Sequence, residues 1–362
     1  MTIPPLRIIA FEVTRTCNLA CRHCRGNSRN ELYPDELTLR EIRAILDNVA
    51  SFSKPLIIIT GGEPLIRTDI FNILDYAISL GLRTVLATCG HFLADETVCK
   101  LIETGVSRIS VSLDGATSGV HDDFRGVPGA FEKALKGMET AKRYGLDFQI
   151  NSTLTALNID DLEALYERAV SIGAVGFHPF LLVPMGRGTG LADSELSPEE
   201  YEDALIRIAT IAAGSPIEIK PTCSPHYYRV IRQLHSVNHT GATMQSPHEA
   251  AAHDTTGRYG LTKGCLGGQG FVFISHTGKV QICGFLELEA GDLRTNNYHL
   301  DSIWQTSELF RQIRDIDGYH GKCGKCEYRT VCGGCRARAY YSTGDYLGEE
   351  PNCVYLPTGA RT

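Results

Sequence analysis

Six apolar, β-rich runs punctuate the first half of the chain: Arg7 to Val13, Pro55 to Thr60, Arg83 to Cys89, Arg108 to Asp114, Asp147 to Thr155 and Ala174 to Val183. Segments with helical spacing of apolar positions lie between them. Two helix starts are legible from their caps. Thr38 and Glu41 have capping-box spacing, and Ser197 with Glu200 repeats it, with Pro198 at a first helical position where a missing N–H costs nothing. Strand and helix alternating through about six units predicts an α/β fold with a parallel sheet, because parallel neighbours need crossover connections. A doubly wound sheet and a partial barrel both fit, and in either one ligands gather at the carboxyl ends of the strands.

After Gly214 the rhythm breaks. Pro216 to Lys220 reads as a short strand, Gly241 to Gly257 as a mobile loop rich in Ala, Thr and His, and beyond Gly264 the chain is rich in Cys and Gly. The pattern predicts a division near residue 215, giving units 1–215 and 216–362. No internal repeat or low-complexity tract is visible.

Composition narrows the class. The 362 residues exceed one ordinary domain, and 43% hydrophobic with 21% charged residues is the make-up of a chain that buries a substantial core. A net charge of -7 argues against a surface built to hold nucleic acid or anionic membrane. With no run of about 18 apolar residues, no membrane span is expected. Met1 to Ala10 lacks the apolar core and cleavage site of a secretory signal, so the chain reads as cytoplasmic. In a reducing compartment the thirteen cysteines point to metal or redox chemistry rather than to disulfides.

Three of them, Cys17, Cys21 and Cys24, fall within eight residues directly after the first strand. Three thiolates in a tight loop can take three corners of an iron–sulfur cube and leave the fourth iron open to an outside ligand. A zinc loop completed by His23 is the alternative on spacing alone. The second constellation is Cys265, then Gly278-x4-Cys283, Cys323-x2-Cys326-x5-Cys332-x2-Cys335, and Cys353. Seen alone, its paired C-x2-C units would also serve as a zinc ribbon. Of the remaining thiols, Cys89 and Cys99 read as core residues, and Cys223 lies just ahead of the second constellation.

The C-x3-C-x2-C spacing after a first strand resembles the radical S-adenosylmethionine (SAM) enzymes. The likeness continues in Gly61-Gly62-Glu63-Pro64 after the second strand, in Ser112 and Asp114 on the fourth, and in Arg125, Asn151 and Ser152. It implies a partial (β/α)6 TIM-like barrel. It also implies a [4Fe–4S] cluster on Cys17, Cys21 and Cys24 whose open iron chelates SAM, with the other named residues as SAM contacts. The second constellation resembles the SPASM extension, a twitch-like Cys-rich domain with one or two auxiliary [4Fe–4S] clusters. It departs from the usual pattern in spacing Cys332 and Cys335 by two residues rather than three. By family pairing, Cys265, Cys283 and Cys335 share one cluster, with Cys223 or substrate at its fourth iron, and Cys323, Cys326, Cys332 and Cys353 hold another.

From Lys220 through His248 there is no Asp or Glu, yet Lys220, Arg229, Arg232, His226, His235, His239 and His248 are present. This local excess suggests an anionic ligand, and Tyr227 and Tyr228 add flat aromatic surface suited to a planar polyanion. A solvated basic helix face is the alternative. Pro5-Leu6-Arg7, the Cys24-Arg25 ending of the first motif, Thr222 through Arg229, and Cys332 through Tyr340 together resemble the heme b synthases of the siroheme-dependent heme route. That resemblance implies oxidative decarboxylation of two propionates of iron-coproporphyrin III to vinyl groups, in an anaerobic setting, with an external low-potential electron donor such as flavodoxin or ferredoxin. Arg25, Arg229 and Arg232 are expected to bind propionates, His226 to ligate the substrate iron, and Tyr227 or Tyr228 to pack on the ring. The other readings are a SPASM enzyme acting on a peptide or maturing an enzyme, a relative processing heme d1 or didecarboxysiroheme, and a metal-bound electron-transfer scaffold without catalysis.

Overall fold

A computed structural model describes residues 3–238 and 264–358; the loop expected at Gly241 to Gly257, with His239 and His248, lies outside them. All six expected strands form: β1 (Ile8–Thr14), β2 (Leu56–Gly61), β3 (Thr84–Thr88), β4 (Ile109–Ser112), β5 (Phe148–Leu154) and β6 (Gly176–Leu181), and the short seventh, β7 (Glu218–Ile219), joins them. Helices α1 (Leu39–Phe52), α2 (Ile70–Ser79), α3 (Asp95–Thr104), α4 (Ser118–Arg125), α5 (Ala130–Arg143), α6 (Leu162–Ile172) and α7 (Pro198–Gly214) make the crossovers. Every pairing from β1 to β7 is parallel, and the sheet curves into the partial barrel of the radical SAM fold. Both capping boxes are in place, Thr38 with Glu41 on α1 and Ser197 with Glu200 on α7.

Strand faces are sorted by the two-residue period of β structure. On β5, Phe148, Ile150, Ser152 and Leu154 are buried against the helices, while Gln149, Asn151 and Thr153 turn to the barrel interior. On β4, Ile109 and Val111 are buried, and Ser110 and Ser112 turn inward.

The apolar pattern did not reveal three later strands, β8 (Phe271–Ile274), β9 (Lys279–Cys283) and β10 (Leu286–Asp292). β8 pairs in parallel with β1, and β9 pairs antiparallel with both β8 and β10, so one sheet has the order β10-β9-β8-β1-β2-β3-β4-β5-β6-β7. Gly278, at φ +88, makes the left-handed turn between β8 and β9, which explains the Gly-x4-Cys spacing: one turn, then a strand ending on Cys283. After α8 (Tyr227–Asn238), the helices α9 (Leu300–Thr306), α10 (Glu308–Arg314), α11 (Gly321–Lys325) and α12 (Arg336–Thr343) are short; α11 carries Cys323 and precedes Cys326, and α12 follows Cys335. Among the described residues no helix is long and apolar enough to cross a membrane.

Candidate functional site

The carboxyl end of β1 delivers the chain directly into the loop of Cys17, Cys21 and Cys24, and three further segments hold that loop. Gly62 N donates to the Thr14 carbonyl at 2.8 Å and Glu63 N to that of Thr16 at 2.9 Å. A Cβ on Gly62 would sit 2.3 Å from Thr16 O, so its glycine lets two backbones touch. Beyond β6, Arg187 donates from Nε to Cys21 O and from Nη1 to Ser28 O, both at 2.8 Å, and its backbone N reaches Cys24 O at 3.0 Å. Gly186, at φ +55, brings this clamp so close that a Cβ would lie 2.2 Å from Arg25 O. The third hold is Arg22 N on Phe124 O at 2.8 Å, next to Arg125.

The three thiols open on a cavity of about 200 Å³ at the strand ends, whose polar wall includes Gly61, Gly62, Ser110, Ser112, Arg125 and Asn151. Phe180, Leu181, Leu182, Val183 and Phe285 supply an apolar wall, and Arg25 and Arg187 also border the space. Ser110, Thr153 and Arg187 were not anticipated; alternation on β4 and β5 would have pointed to the first two, whereas the third depends on tertiary contact.

Glu63, Pro64, Asp114 and Ser152 do not line this cavity. Glu63 is buried and ties two strand ends together, accepting from Thr88 Oγ1 at 2.9 Å and Cys89 N at 2.7 Å. Pro64 opens a short 3₁₀ turn. Ser152 Oγ donates to the Leu113 carbonyl on the helix side of the sheet. Asp114, fully buried, pairs with Arg125 at 2.5 Å and accepts from Thr153 N at 2.7 Å, which aims the guanidinium at Cys21 Sγ, 3.6 Å away. Burial would raise the Asp114 carboxyl, but Arg125, His23, His121 and the Thr153 N–H together outweigh this and hold it below the usual carboxylate range.

Burial pushes the Cys17 thiol up to about 12 and Cys21 in the same direction, with Leu19 N–H on the first and Arg125 on the second working against it. Such thiols stay protonated until a cation takes the proton's place, and donors already aimed at the sulfurs then suit anionic ligands. The loop therefore fits an iron–sulfur cluster. Cys89 packs with Cys17 and Cys21 and lines the same cavity.

The C-terminal cysteines fall into two groups. Cys323, Cys326, Cys332 and Cys353 line a common pocket with His226, Arg229, Glu350 and Tyr355. Backbone N–H groups reach three of the sulfurs: Glu350 to Cys323 at 3.3 Å, Tyr328 to Cys326 and Gly334 to Cys332, both at 3.4 Å. Cys223, Cys265, Cys283 and Cys335 form the other group: burial pushes Cys223 well up, and Cys335, Cys283 and Cys265 add to it. Cys223 adopts φ +57, unusual for a residue with a Cβ, and its carbonyl is pinned by Tyr201 Oη at 3.0 Å and Arg338 Nη2 at 3.1 Å. No three Cys, His, Asp or Glu side chains among the described residues are arranged to hold a single metal ion.

A buried ion pair joins the two groups. Glu350 accepts from Cys335 N at 2.6 Å and from Arg338 at 3.1 Å, while Arg338 also donates to Leu182 O at 3.0 Å, on the barrel side. Of the expected substrate residues of α8 and its approach, His226 and Arg229 line the Cys323 pocket, and none lines the first cavity. Tyr227 is buried in the main core, edge-on to Tyr228. Arg229 is buried and engaged by Glu202 and Gln233. Arg232 is half-buried. Arg25 alone of the expected propionate binders borders the first cavity, stacked 4.2 Å over Phe273 and held by Glu12 at 3.3 Å.

Comparison with known proteins agrees with this geometry. Residues 11–169 match the Radical SAM superfamily and residues 265–336 the SPASM iron–sulfur cluster-binding domain. The chain is 46% identical over 357 residues to the AdoMet-dependent heme synthase of Methanosarcina barkeri, covering 99% of this chain and 98% of that one. It is 44% identical over 354 residues to the AdoMet-dependent heme synthase of Nitratidesulfovibrio vulgaris, covering 98% and 94%. Among solved structures, Streptococcus suis SuiB bound to S-adenosylmethionine superposes with a TM-score of 0.73 at 16% identity, over 99% of this chain and 78% of that one, a likeness of fold. The SAM-binding [4Fe–4S] cluster and auxiliary iron–sulfur clusters follow from the two matched domains.

Proposed function

Because this chain belongs to the family of the AdoMet-dependent heme synthases, radical SAM enzymes with a SPASM domain, we propose that it converts two propionates of iron-coproporphyrin III to vinyl groups, giving protoheme. The observation that carries this reading is likeness along nearly the whole chain to heme synthases. When bound, the reduced cluster and SAM supply a radical that takes one hydrogen atom from the propionate carbon next to the macrocycle. Carbon dioxide then leaves, the two remaining carbons become a vinyl group, and one electron per propionate passes to an acceptor.

The chain's own residues do the placing. Cys17, Cys21 and Cys24 hold the cluster, and Gly61, Gly62, Ser112, Arg125 and Asn151 form the polar wall for SAM. Glu63, Asp114 and Ser152 act from behind it. The apolar wall of Phe180, Leu182 and Phe285 suits a macrocycle face and keeps water from the reacting carbon, while Arg25 meets a propionate. The groups around Cys323 and Cys335 hold auxiliary clusters suited to taking the surplus electron, and an external low-potential donor such as flavodoxin or ferredoxin supplies the reducing one. On this reading residues 1–215 carry radical generation, and residues 216–362 carry a substrate-binding bridge and the SPASM-type iron–sulfur domain that removes electrons.

Anaerobic incubation of the iron-loaded enzyme with SAM, reductant and iron-coproporphyrin III tests the reading. The expected product has lost carbon dioxide and two hydrogens twice in succession, seen by mass. Deoxyadenosine release with the porphyrin mass unchanged would overturn the substrate while leaving the radical chemistry standing.

A further inference from the structure

His226 precedes α8 and is 1% exposed, yet neither Nδ1 nor Nε2 has a hydrogen-bond partner. Its ring stands edge-on to Tyr201, with centroids 5.0 Å apart, and it lines the pocket of Cys323, Cys326, Cys332 and Cys353. A neutral imidazole always carries one N–H, and burying that donor without an acceptor costs free energy. The neighbours do not relieve this. Tyr201 Oη donates to Cys223 O, Arg229 is a donor only and is taken up by Glu202, and the Glu350 carboxylate, which accepts from Arg338 and Cys335 N, makes no hydrogen bond to the ring. What the pocket does offer is sulfur: four thiols that, with iron bound, present thiolate and sulfide acceptors on the wall His226 shares.

We propose that His226 donates a ring N–H to a sulfur of the auxiliary cluster held by Cys323, Cys326, Cys332 and Cys353, acting as a positioning and tuning residue for the electron acceptor rather than as a ligand of the substrate iron. A hydrogen bond to cluster sulfur stabilises the more negative, reduced state, so His226 raises the reduction potential of that centre. Reducing the centre is thereby made easier at the step where each decarboxylation releases an electron. The inference rests on this group of cysteines holding a cluster, which iron and sulfide counts on Cys326→Ala test separately.

The experiment is pulsed electron paramagnetic resonance on the reduced, substrate-free holoenzyme carrying ¹⁵N-histidine. Weak nitrogen coupling on an auxiliary-cluster signal is expected, lost in His226→Ala and His226→Gln. In parallel redox titrations, His226→Ala lowers the potential of that auxiliary cluster, His226→Gln, which keeps an N–H donor, restores most of it, and the potential of the SAM-binding cluster is unmoved. Should either variant fail to fold, the wild-type coupling still decides. Absence of histidine coupling, or coupling that arises only after iron-coproporphyrin III is added, overturns the proposal, the second outcome returning His226 to the substrate. An unchanged auxiliary potential in a folded His226→Ala protein overturns it as well.

Discussion

The N-terminal cysteine loop and the C-terminal cysteine groups solve different problems with the same ligand. The loop stands at strand ends, held by backbone contacts from the residues after β2, the end of α4 and the segment after β6, and it opens on a cavity of about 200 Å³. Arg125 stands beside Cys21 with the Asp114 carboxylate behind it. The C-terminal groups are wrapped by short helices around buried charges, Arg336, Arg338 and Glu350, each almost without exposure. On the proposed function, a centre that binds SAM and substrate needs free space, whereas one that passes electrons is better enclosed, where fixed charges and N–H groups set its potential.

The sharpest way to break this comparison is to delete a thiol on each side. Cys21→Ala should abolish deoxyadenosine formation and lower iron by about four atoms per chain, while Cys326→Ala keeps SAM cleavage and loses protoheme; equal loss of SAM cleavage in both would erase the division of labour. Glu350→Ala leaves Arg338 buried without its carboxylate and should cost about 3–5 kcal/mol, read as a lower urea midpoint together with loss of auxiliary-cluster absorbance.

Glu12 links the regions, since it lies on β1 and accepts from His276 Nδ1, beyond β8, at 3.0 Å, as well as from Arg15 and Arg25. Burial would raise its carboxyl, but Arg25, the His276 hydrogen bond and Arg15 together hold it at about 2, below its ordinary 4.5. A carboxyl depressed by folding stabilises fully above its unfolded value, so the contribution, about 3 kcal/mol, is present at neutral pH and fades as pH falls from about 4.5 toward 2. The difference in urea midpoint between wild type and Glu12→Gln should shrink over that interval; a constant difference would mean that packing, not charge, joins the regions.

Gly186→Ala should move the Arg187 clamp and cost about 1–3 kcal/mol, lowering occupancy of the N-terminal cluster and sparing the auxiliary ones by iron analysis and spectroscopy. Cys99→Ser, on α3 outside every cysteine group, should leave iron content unchanged and stability within about 0.5 kcal/mol.

Much of the barrel was legible because β-rich runs, capping boxes and a strand-then-cysteine order are local signals. The inward residues Ser110 and Thr153 were within reach of the same two-residue alternation that turns Ser152 to the helix side. Cys223 was readable as a spare thiol near a cluster module, but its left-handed backbone and its place beside Cys335 were not. The basic, aromatic stretch from Lys220 promised an anion site, yet Glu202 on α7 takes Arg229, a pairing across 27 positions.

What the sequence determined by itself is the chemistry on offer: three thiols in one tight loop, a second set of cysteines, and alternating strands and helices to carry them, all fixed by residue type and short-range spacing. Tertiary structure decided which groups meet. Parallel pairing of β8 with β1 closes the C-terminal module onto the barrel, Arg187 reaches 166 positions back to hold Cys21, and His226 lands among auxiliary thiols instead of over the SAM cavity. These outcomes depend on long-range packing and on where buried donors find acceptors, and no local pattern of side chains encodes either one.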